Sequence, residues 1–169
     1  MATMKTGLAA GVASLALALL AAPAESREIV SFPGYAPGTV VVRTKERRLY
    51  FVAGEGVALR YPVAVGKPGK QWHGITHIDG KYVRPAWSPP AEVKRDNPHL
   101  PDVIPGGVPE NPMGERALTL ALDEYAIHGT NRPDSIGRFA SYGCIRMHNA
   151  DVINLFERVR VGTPVVVVP

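Results

Sequence analysis

Short apolar runs bounded by glycine, proline or charged residues fill most of the chain beyond residue 38. They are rich in valine, leucine and aromatic residues and too short for helices, so they predict β-strands. Near the C-terminus Val152, Leu155 and Val159 recur at helical spacing, and Gly162 with Pro164 then favours a helix end. The predicted strands are residues 39–43, 49–52, 59–65, 74–77, 81–83, 117–122, 125–128 and 165–168.

Three turn or cap positions carry more specific predictions. Asp79-Gly80, between two of these strands, is a strong signal for a tight hairpin. Asp123-Glu124 predicts a second tight turn. Asn149 is well placed to cap the late helix, and Asp151 in its first turn would complement the helix dipole.

The segment 85–112 interrupts the strand pattern, because it contains eight prolines in 28 residues. Proline cannot donate a hydrogen bond to a sheet ladder, so no core strand is expected there. Connections of this length are usually lids or binding loops, and Trp87, Val103 and Ile104 favour a partly packed lid. The segment 129–143 is predicted to be a second, polar loop. The pattern therefore predicts a mainly β domain with one late helix and a long proline-rich loop.

Composition narrows the functional classes. With 169 residues, 46% of them hydrophobic, the chain suits one domain with a buried core. The net charge of +4 comes from interspersed acids and bases, which does not support nucleic-acid binding. One cysteine excludes an intrachain disulfide framework. His73 and His77 would lie about 13 Å apart on a strand, too far to share an ion, so no metal and no cofactor is expected.

The first 24 residues have the layout of a secretory signal peptide. Lys5 provides a positive charge, residues 8–22 are apolar, and Ala22-Pro23-Ala24 fits an A-x-A-like cleavage site. The apolar run is shorter than the ~20 residues of a membrane span, which disfavours a transmembrane anchor. We therefore expect an exported mature chain that starts at Glu25 without a stable membrane anchor. Residues 25–38 would be a lead-in segment and residues 39–168 the folded domain.

Export makes the lone cysteine informative, since exported proteins mostly carry cysteines in pairs. A free thiol with a pKa of ~8.5 is largely protonated at neutral pH and needs a base to become a nucleophile. His128 ends one predicted strand, and Cys144 follows sixteen residues later, so the two side chains could meet across adjacent strands. The competing interpretation is an inert buried cysteine.

Neighbouring residues favour the nucleophile hypothesis. The amides of Gly143 and Cys144 could form an oxyanion hole, and a carbonyl near Gly129 could orient the imidazole. Arg146 could bind a substrate carboxylate and would lower the thiol pKa. Ser141 could bind substrate through a hydrogen bond near the site or simply satisfy the turn.

The run Ile127-His-Gly-Thr130, followed by Ser141-x-Gly-Cys-Ile-Arg-Met147, resembles the signature of the L,D-transpeptidase catalytic-domain family of bacterial cell-wall enzymes. Tyr61-Pro-Val-Ala-Val-Gly66, Asn111-Pro-Met-Gly114 and Val161-Gly-Thr-Pro-Val165 extend the resemblance over most of the chain. The resemblance implies an L,D-transpeptidase-like β-sandwich or barrel.

Position by position, the resemblance implies that Cys144 is the nucleophile and His128 the acid/base. It places Gly129 where a main-chain carbonyl orients the histidine, and Gly143 in the oxyanion turn. Arg146 matches the motif arginine. Tyr142 is a departure, because the family commonly has histidine there.

The implied reaction is attack on the diamino acid carbonyl of a peptidoglycan tetrapeptide stem, at its L-centre. The terminal D-Ala leaves, a thioester forms, and an amine acceptor resolves it to give a cross-link. The expected partners are peptidoglycan stem peptides, in the periplasm or at the cell wall. Two alternatives stay open: water as acceptor, which makes a carboxypeptidase or other hydrolase, and a non-catalytic wall-binding module, which the Tyr142 departure motivates. A carbapenem is expected to form a single adduct on Cys144.

Overall fold

The computed structural model describes residues 27–122 and 124–169. The predicted signal peptide and Asp123 of one predicted turn lie outside the described residues. The described part of the chain forms ten strands, two α-helices and a short 3₁₀ helix at Pro133–Ser135. The elements are β1 (Glu28–Ser31), β2 (Val40–Arg43), β3 (Arg48–Gly54), β4 (Val57–Gly66), β5 (Gly74–Val83), α1 (Ala91–Asp96), β6 (Arg116–Leu120), β7 (Ala126–His128), β8 (Phe139–Ser141), β9 (Ile145–Met147), α2 (Asn149–Phe156) and β10 (Pro164–Val168).

The strands form one sheet that closes on itself. Their order is β1-β4-β3-β2-β10-β5-β6-β7-β9, and β9 also pairs with β4, so the path returns to an earlier strand. The pairs β2–β10, β7–β9 and β4–β8 are parallel, and the other pairs are antiparallel. The predicted mainly β fold with one late helix is confirmed, and it is a closed barrel.

Alternation along the strands divides the apolar residues between two clusters. Val40 and Val42 point into the main core, which Leu155 of α2 also joins. Val41 points to the opposite face and packs with Phe32, with Tyr50 and Val52 of β3, and with Ala58 of β4. Because α2 packs against β6 and β7, the core helix supports the strand that carries His128. None of the helices in the described ranges is long and apolar enough to cross a bilayer.

The hairpin predicted at Asp79-Gly80 is wrong, because β5 runs unbroken through both residues. The strand instead has an irregularity between Ile78 and Gly80 where it pairs with β6. A Cβ on Gly80 would lie 2.8 Å from the hydroxyl of Thr119, so this glycine allows a close approach of strands and not a turn.

The late helix begins one residue earlier than predicted. His148 occupies the N-cap position, and Asn149 is the first helical residue. Asp151 does lie in the first turn, as predicted. The helix ends at Phe156, before the predicted Gly162, and Lys81 donates hydrogen bonds to the carbonyls of Phe156 (2.7 Å) and Val159 (2.6 Å).

Regular structure also occurs where none was predicted. The lead-in segment contains β1, which pairs with β4. The polar loop 129–143 contains the 3₁₀ helix and β8. The proline-rich segment 85–112, hereafter the lid, contains α1, and an isolated bridge joins Trp87 to Ile104.

Candidate active site

A crevice of about 490 Å³ lies between the lid and the barrel. Residues from five parts of the fold line it: the lid, the turn after β4, the segment before β7, the strands β7 and β9, and the chain that leads from β8 into β9. Four of the six residues predicted for the site line this crevice: His128, Ser141, Cys144 and Arg146. Gly129 and Gly143 belong to the adjoining main chain.

Strand pairing brings the two ends of the polar loop together. In the parallel pair β7–β9, Ile127 lies opposite Ile145, and His128 lies opposite Arg146. Cys144 immediately precedes β9 and therefore lies beside Ala126, at the start of β7, two residues before Arg146. Two residue pairs between β7 and β9 thus bring Cys144 near His128, although the two are sixteen residues apart in sequence.

His128 is held in a single tautomer by its main-chain partner. The ring is buried, with 4% of the residue exposed, and Nδ1 lies 2.7 Å from the carbonyl oxygen of Gly129. A carbonyl can only accept, so Nδ1 donates and Nε2 is left as the acceptor. Burial, and then the positive charge of Arg146, lower the pKa of His128 to about 4, although the carbonyls of Gly129 and Pro112 oppose the shift. The imidazole is therefore neutral at pH 7.

The thiol of Cys144 is also held in its neutral form. The residue is half-buried, and its sulfur lies 4.0 Å from the carbonyl oxygen of Glu124. Removal of the sulfur from water raises the thiol pKa, and the charge of Glu124 adds to this. The amide of Ala126 and the charge of Arg146 lower the pKa but do not reverse the shift. The resting site thus contains a thiol and a neutral imidazole, and not an ion pair.

The turn before Cys144 is fixed by three hydrogen bonds. The Gly143 amide donates to the Ser141 hydroxyl (3.1 Å), which donates to the Cys144 carbonyl (2.6 Å). Trp72 donates from its indole nitrogen to the Gly143 carbonyl (2.9 Å). Ser141 therefore shapes the turn, as one of its two predicted roles required. The oxyanion role of the Gly143 amide stays a prediction, and it would compete with the bond to Ser141.

Glycine is required at position 143 for two reasons. Its φ of +126° lies in the region that side chains rarely adopt. In addition, a Cβ there would collide with the ring of Tyr125. Tyr125 stacks on Trp72 at 5.1 Å between ring centroids, so an aromatic pair packs against the turn before Cys144.

Arg146 lies on β9, which runs between β7 and β4. It is half-buried, and it pairs in register with His128 on one side and with Ala64 of β4 on the other. Burial lowers its pKa, and the neighbouring Cys144 opposes that shift. A half-buried guanidinium that lines the crevice suits a carboxylate ligand.

Sequence reasoning missed Asn149, which anchors the chain beyond His128. Its amide oxygen accepts from the amides of Glu115 (3.2 Å) and Thr130 (3.1 Å). Its amide nitrogen donates to the Thr130 carbonyl (3.1 Å). Asn149 was predicted as a helix cap because it is a polar residue before an apolar stripe. No local sequence signal distinguishes a cap from a residue that binds distant main-chain groups. The stacking of Trp72 on Tyr125 was missed for the same reason.

The two ends of the lid are joined by one buried side chain. Asn111 is 3% exposed and donates to the carbonyls of Pro85 (2.9 Å), Pro105 (2.9 Å) and Ile104 (3.2 Å). Its oxygen accepts from the amide of Met113 (2.8 Å). The lid is therefore closed at its base. Across the described residues, no three histidine, cysteine, aspartate or glutamate side chains converge to hold a metal ion.

Similarity to known proteins points to the same part of the chain. The sequence pattern of the L,D-transpeptidase catalytic domain matches residues 37–167. The chain is 39% identical over 133 residues to the probable L,D-transpeptidase YbiS of Escherichia coli, covering 75% of this chain and 43% of that protein. It is 34% identical to a putative L,D-transpeptidase of Fuscovulum blasticum, covering 99% of this chain and 96% of that protein.

The fold is similar as well. A solved L,D-transpeptidase from Mycobacterium smegmatis superimposes with a TM-score of 0.61 over 78% of this chain and 58% of that one. At 20% identity this likeness concerns the fold alone. The chain spans less than half the length of the Escherichia coli relative. The family pattern, the full-length relative and the fold agree, and the chain belongs to the L,D-transpeptidase catalytic-domain family.

Proposed function

We propose that the protein is an L,D-transpeptidase that uses Cys144 as a nucleophile on peptidoglycan tetrapeptide stems. The supporting observation is that one thiol and one imidazole line the same crevice, because His128 on β7 lies opposite Arg146, two residues after Cys144. Family membership supports the reaction class. The acyl donor would be the stem's diamino acid, and the acceptor an amine of a second stem.

In the first half-reaction, Nε2 of His128 accepts the thiol proton while the sulfur attacks the diamino acid carbonyl. Because both groups rest in their neutral forms, this proton moves during the attack and not before it. The carbon–nitrogen bond to D-Ala then breaks, and the imidazolium returns the proton to the leaving amine. A thioester on Cys144 is left, and His128 is neutral again.

In the second half-reaction, the acceptor amine attacks the thioester and gives its proton to His128. The carbon–sulfur bond breaks, and the sulfur recovers the proton from the imidazolium. The bond from Nδ1 to Gly129 holds the ring in place through both halves. We assign Arg146 to a carboxylate of the donor stem, because it is the half-buried cation beside the thiol.

The direct test is to incubate the purified mature protein with disaccharide-tetrapeptides and to identify the products by mass spectrometry. Cross-linked dimers with release of D-Ala are the expected result. Tripeptides without dimers would replace the transferase by a carboxypeptidase on the same site. Unchanged substrate, with binding to cell walls retained, would support a non-catalytic wall-binding module. Cys144→Ala is the matched control, and it should bind walls without forming either product.

We also propose that the protein acts outside the cytoplasm. The support is the sequence of residues 1–24, whose charged, apolar and small-residue regions follow the order of a cleaved signal peptide. Expression with a C-terminal tag, followed by N-terminal sequencing of the exported material, tests this. The expected first residue is Glu25. An intact N-terminus on protein retained in the cytoplasm would contradict the proposal.

A further inference from the structure

The lid helix α1 forms one wall of the crevice, although none of its six residues is buried. Its N-cap has no side-chain hydrogen bond. A helix this short is unstable alone in water, so contacts with the rest of the protein must hold it. These contacts are ionic, and they involve Tyr142 of the nucleophile loop.

Two acidic residues on one face of α1 meet two lysines of the barrel. Glu92 and Asp96 are four residues apart and therefore share a helix face. Lys70 forms an ion pair with Glu92, and Lys67 lies 3.6 Å from Asp96. Both lysines belong to the turn that follows β4, three residues apart.

Tyr142 adds a third attachment at the same carboxylate. Its hydroxyl donates to Asp96, and its ring lies beneath the Lys67 ammonium, 3.7 Å from the ring centroid. The hydrogen bond from Tyr142, and then the charge of Lys67, lower the pKa of Asp96, so this carboxylate is ionised at neutral pH. Asp96 thus joins the lid helix, the turn after β4 and the loop that carries Cys144.

The hydroxyl of Tyr142 makes this contact at the far end of a long side chain. A histidine at this position would lack the para-hydroxyl group that donates to Asp96. The tyrosine that departs from the resembled motif is therefore the residue that links the nucleophile loop to the lid.

We propose that Tyr142 and Asp96 are positioning residues that hold α1 against the nucleophile loop and thereby restrict which groups reach Cys144. Small reagents would pass, whereas bulky groups would require the Tyr142–Asp96 bond to break. In catalysis, which rests on the proposed function, the same contact would align the donor stem against the thiol without touching the reacting atoms.

The lone cysteine allows a clean test that does not depend on peptidoglycan chemistry. Cys144 is alkylated with iodoacetamide and, separately, with a maleimide on a bulky polyethylene glycol chain, and the ratio of the two rates is measured. We expect Tyr142→Phe to raise the bulky-to-small ratio roughly threefold, the size of one exposed polar contact. Asp96→Ala removes the same hydrogen bond and also the ion pair with Lys67, so it should raise the ratio at least as much. The double variant should equal Asp96→Ala, because the Tyr142 hydroxyl has no bond to Asp96 left to lose.

Glu28→Gln is the control, since it breaks the ion pair with Arg60 on β1 and β4, an exposed pair that does not line the crevice. Its ratio should stay at the wild-type value. An unchanged ratio in Tyr142→Phe and Asp96→Ala, or equal acceleration of both reagents, would overturn the proposal. A shifted ratio in a protein that forms no peptidoglycan product would support the lid contact and reject the proposed function.

If the protein does process tetrapeptides, a second readout separates positioning from folding. Tyr142→Phe should raise KM for the tetrapeptide about threefold and leave kcat within about twofold. Asp96→Glu, which keeps a carboxylate acceptor for the Tyr142 hydroxyl, should have a KM close to the wild-type value. A fall in kcat with unchanged KM would contradict the positioning role.

Discussion

The barrel and the lid are held together by different physics. In the barrel, valines, leucines and isoleucines on closed strands are fully buried, and the site's imidazole is set by one ladder and one main-chain hydrogen bond. The lid helix has no fully buried residue and is held by ion pairs and a tyrosine hydroxyl. The difference separates two roles: an apolar frame places His128 and Cys144, and polar contacts hold the lid helix beside them.

The largest effect should come from removing the imidazole of His128, the proposed base. We expect His128→Ala to slow acylation of Cys144 by a carbapenem roughly 1000-fold, the usual range for a lost general base. Intact-protein mass spectrometry over time gives the rate. His148→Ala, at the start of α2, is the matched control and should acylate at the wild-type rate. A fall of less than tenfold in His128→Ala would mean that another group takes the proton.

Acid should destabilise the barrel because the buried imidazole of His128 resists protonation in the folded protein. The pKa of His128 is about 4 in the folded protein and 6.5 when unperturbed, so between these values the unfolded chain binds a proton that the folded one does not. This contribution is complete above pH 6.5 and is lost as pH falls to about 4. It amounts to about 3 kcal/mol in the free energy of unfolding. Urea unfolding at pH 7.0 and 4.0 should show this loss in wild type.

The variant His128→Gln isolates that contribution. It cannot gain a proton, so its drop in unfolding free energy over the same pH range should be smaller by about 3 kcal/mol. Equal drops in the two proteins would show that the ring is not buried in its neutral form.

The next largest effect should come from adding a side chain at Gly143, in the turn before Cys144. Gly143→Ala introduces a Cβ at positive φ and against the Tyr125 ring, whereas Gly34→Ala meets positive φ (+94°) with open space around it. Both variants carry the conformational cost, so their difference reports the collision. We expect Gly143→Ala to lose about 2 kcal/mol more unfolding free energy. Thermal unfolding compares the two, and equal losses would mean that the Tyr125–Trp72 stack yields freely.

The smallest effect should be a difference between lid and barrel in how salt changes amide hydrogen exchange. At 1 M NaCl the screening length is about 3 Å, which weakens exposed ion pairs but leaves buried apolar contacts intact. Amides of α1 should then exchange hydrogen roughly two- to threefold faster relative to low salt. Amides of β2 and β3 should keep their rates. Acceleration in both regions alike would remove the contrast between barrel and lid.

Sequence patterns predicted much of the barrel and the central pair of the site. The strands and α2 show local periodicity, and Cys144 and His128 are chemically distinctive residues in an informative order. The failures share a cause. The continuity of β5 through Gly80 depends on the partner strand, and the role of Asn149 depends on main-chain groups 19 and 34 residues away.

The lid shows the same limit more strongly. Six residues without a buried side chain carry no hydrophobic periodicity, so α1 could not be predicted. The lysines that hold it are 22 to 29 residues away in sequence, and Tyr142 is 46 residues away. The bond from the Gly143 amide to Ser141 is local, but the predicted oxyanion role had assigned that amide to the substrate.

The most direct measurement is the mass of the enzyme trapped during turnover. Wild-type protein is mixed with disaccharide-tetrapeptide, quenched in acid within seconds, and digested for peptide mapping. The account predicts an adduct on Cys144 whose mass equals the donor minus D-Ala, absent from Cys144→Ala. Products that accumulate in the Cys144→Ala protein, or an adduct on any other residue, would contradict it.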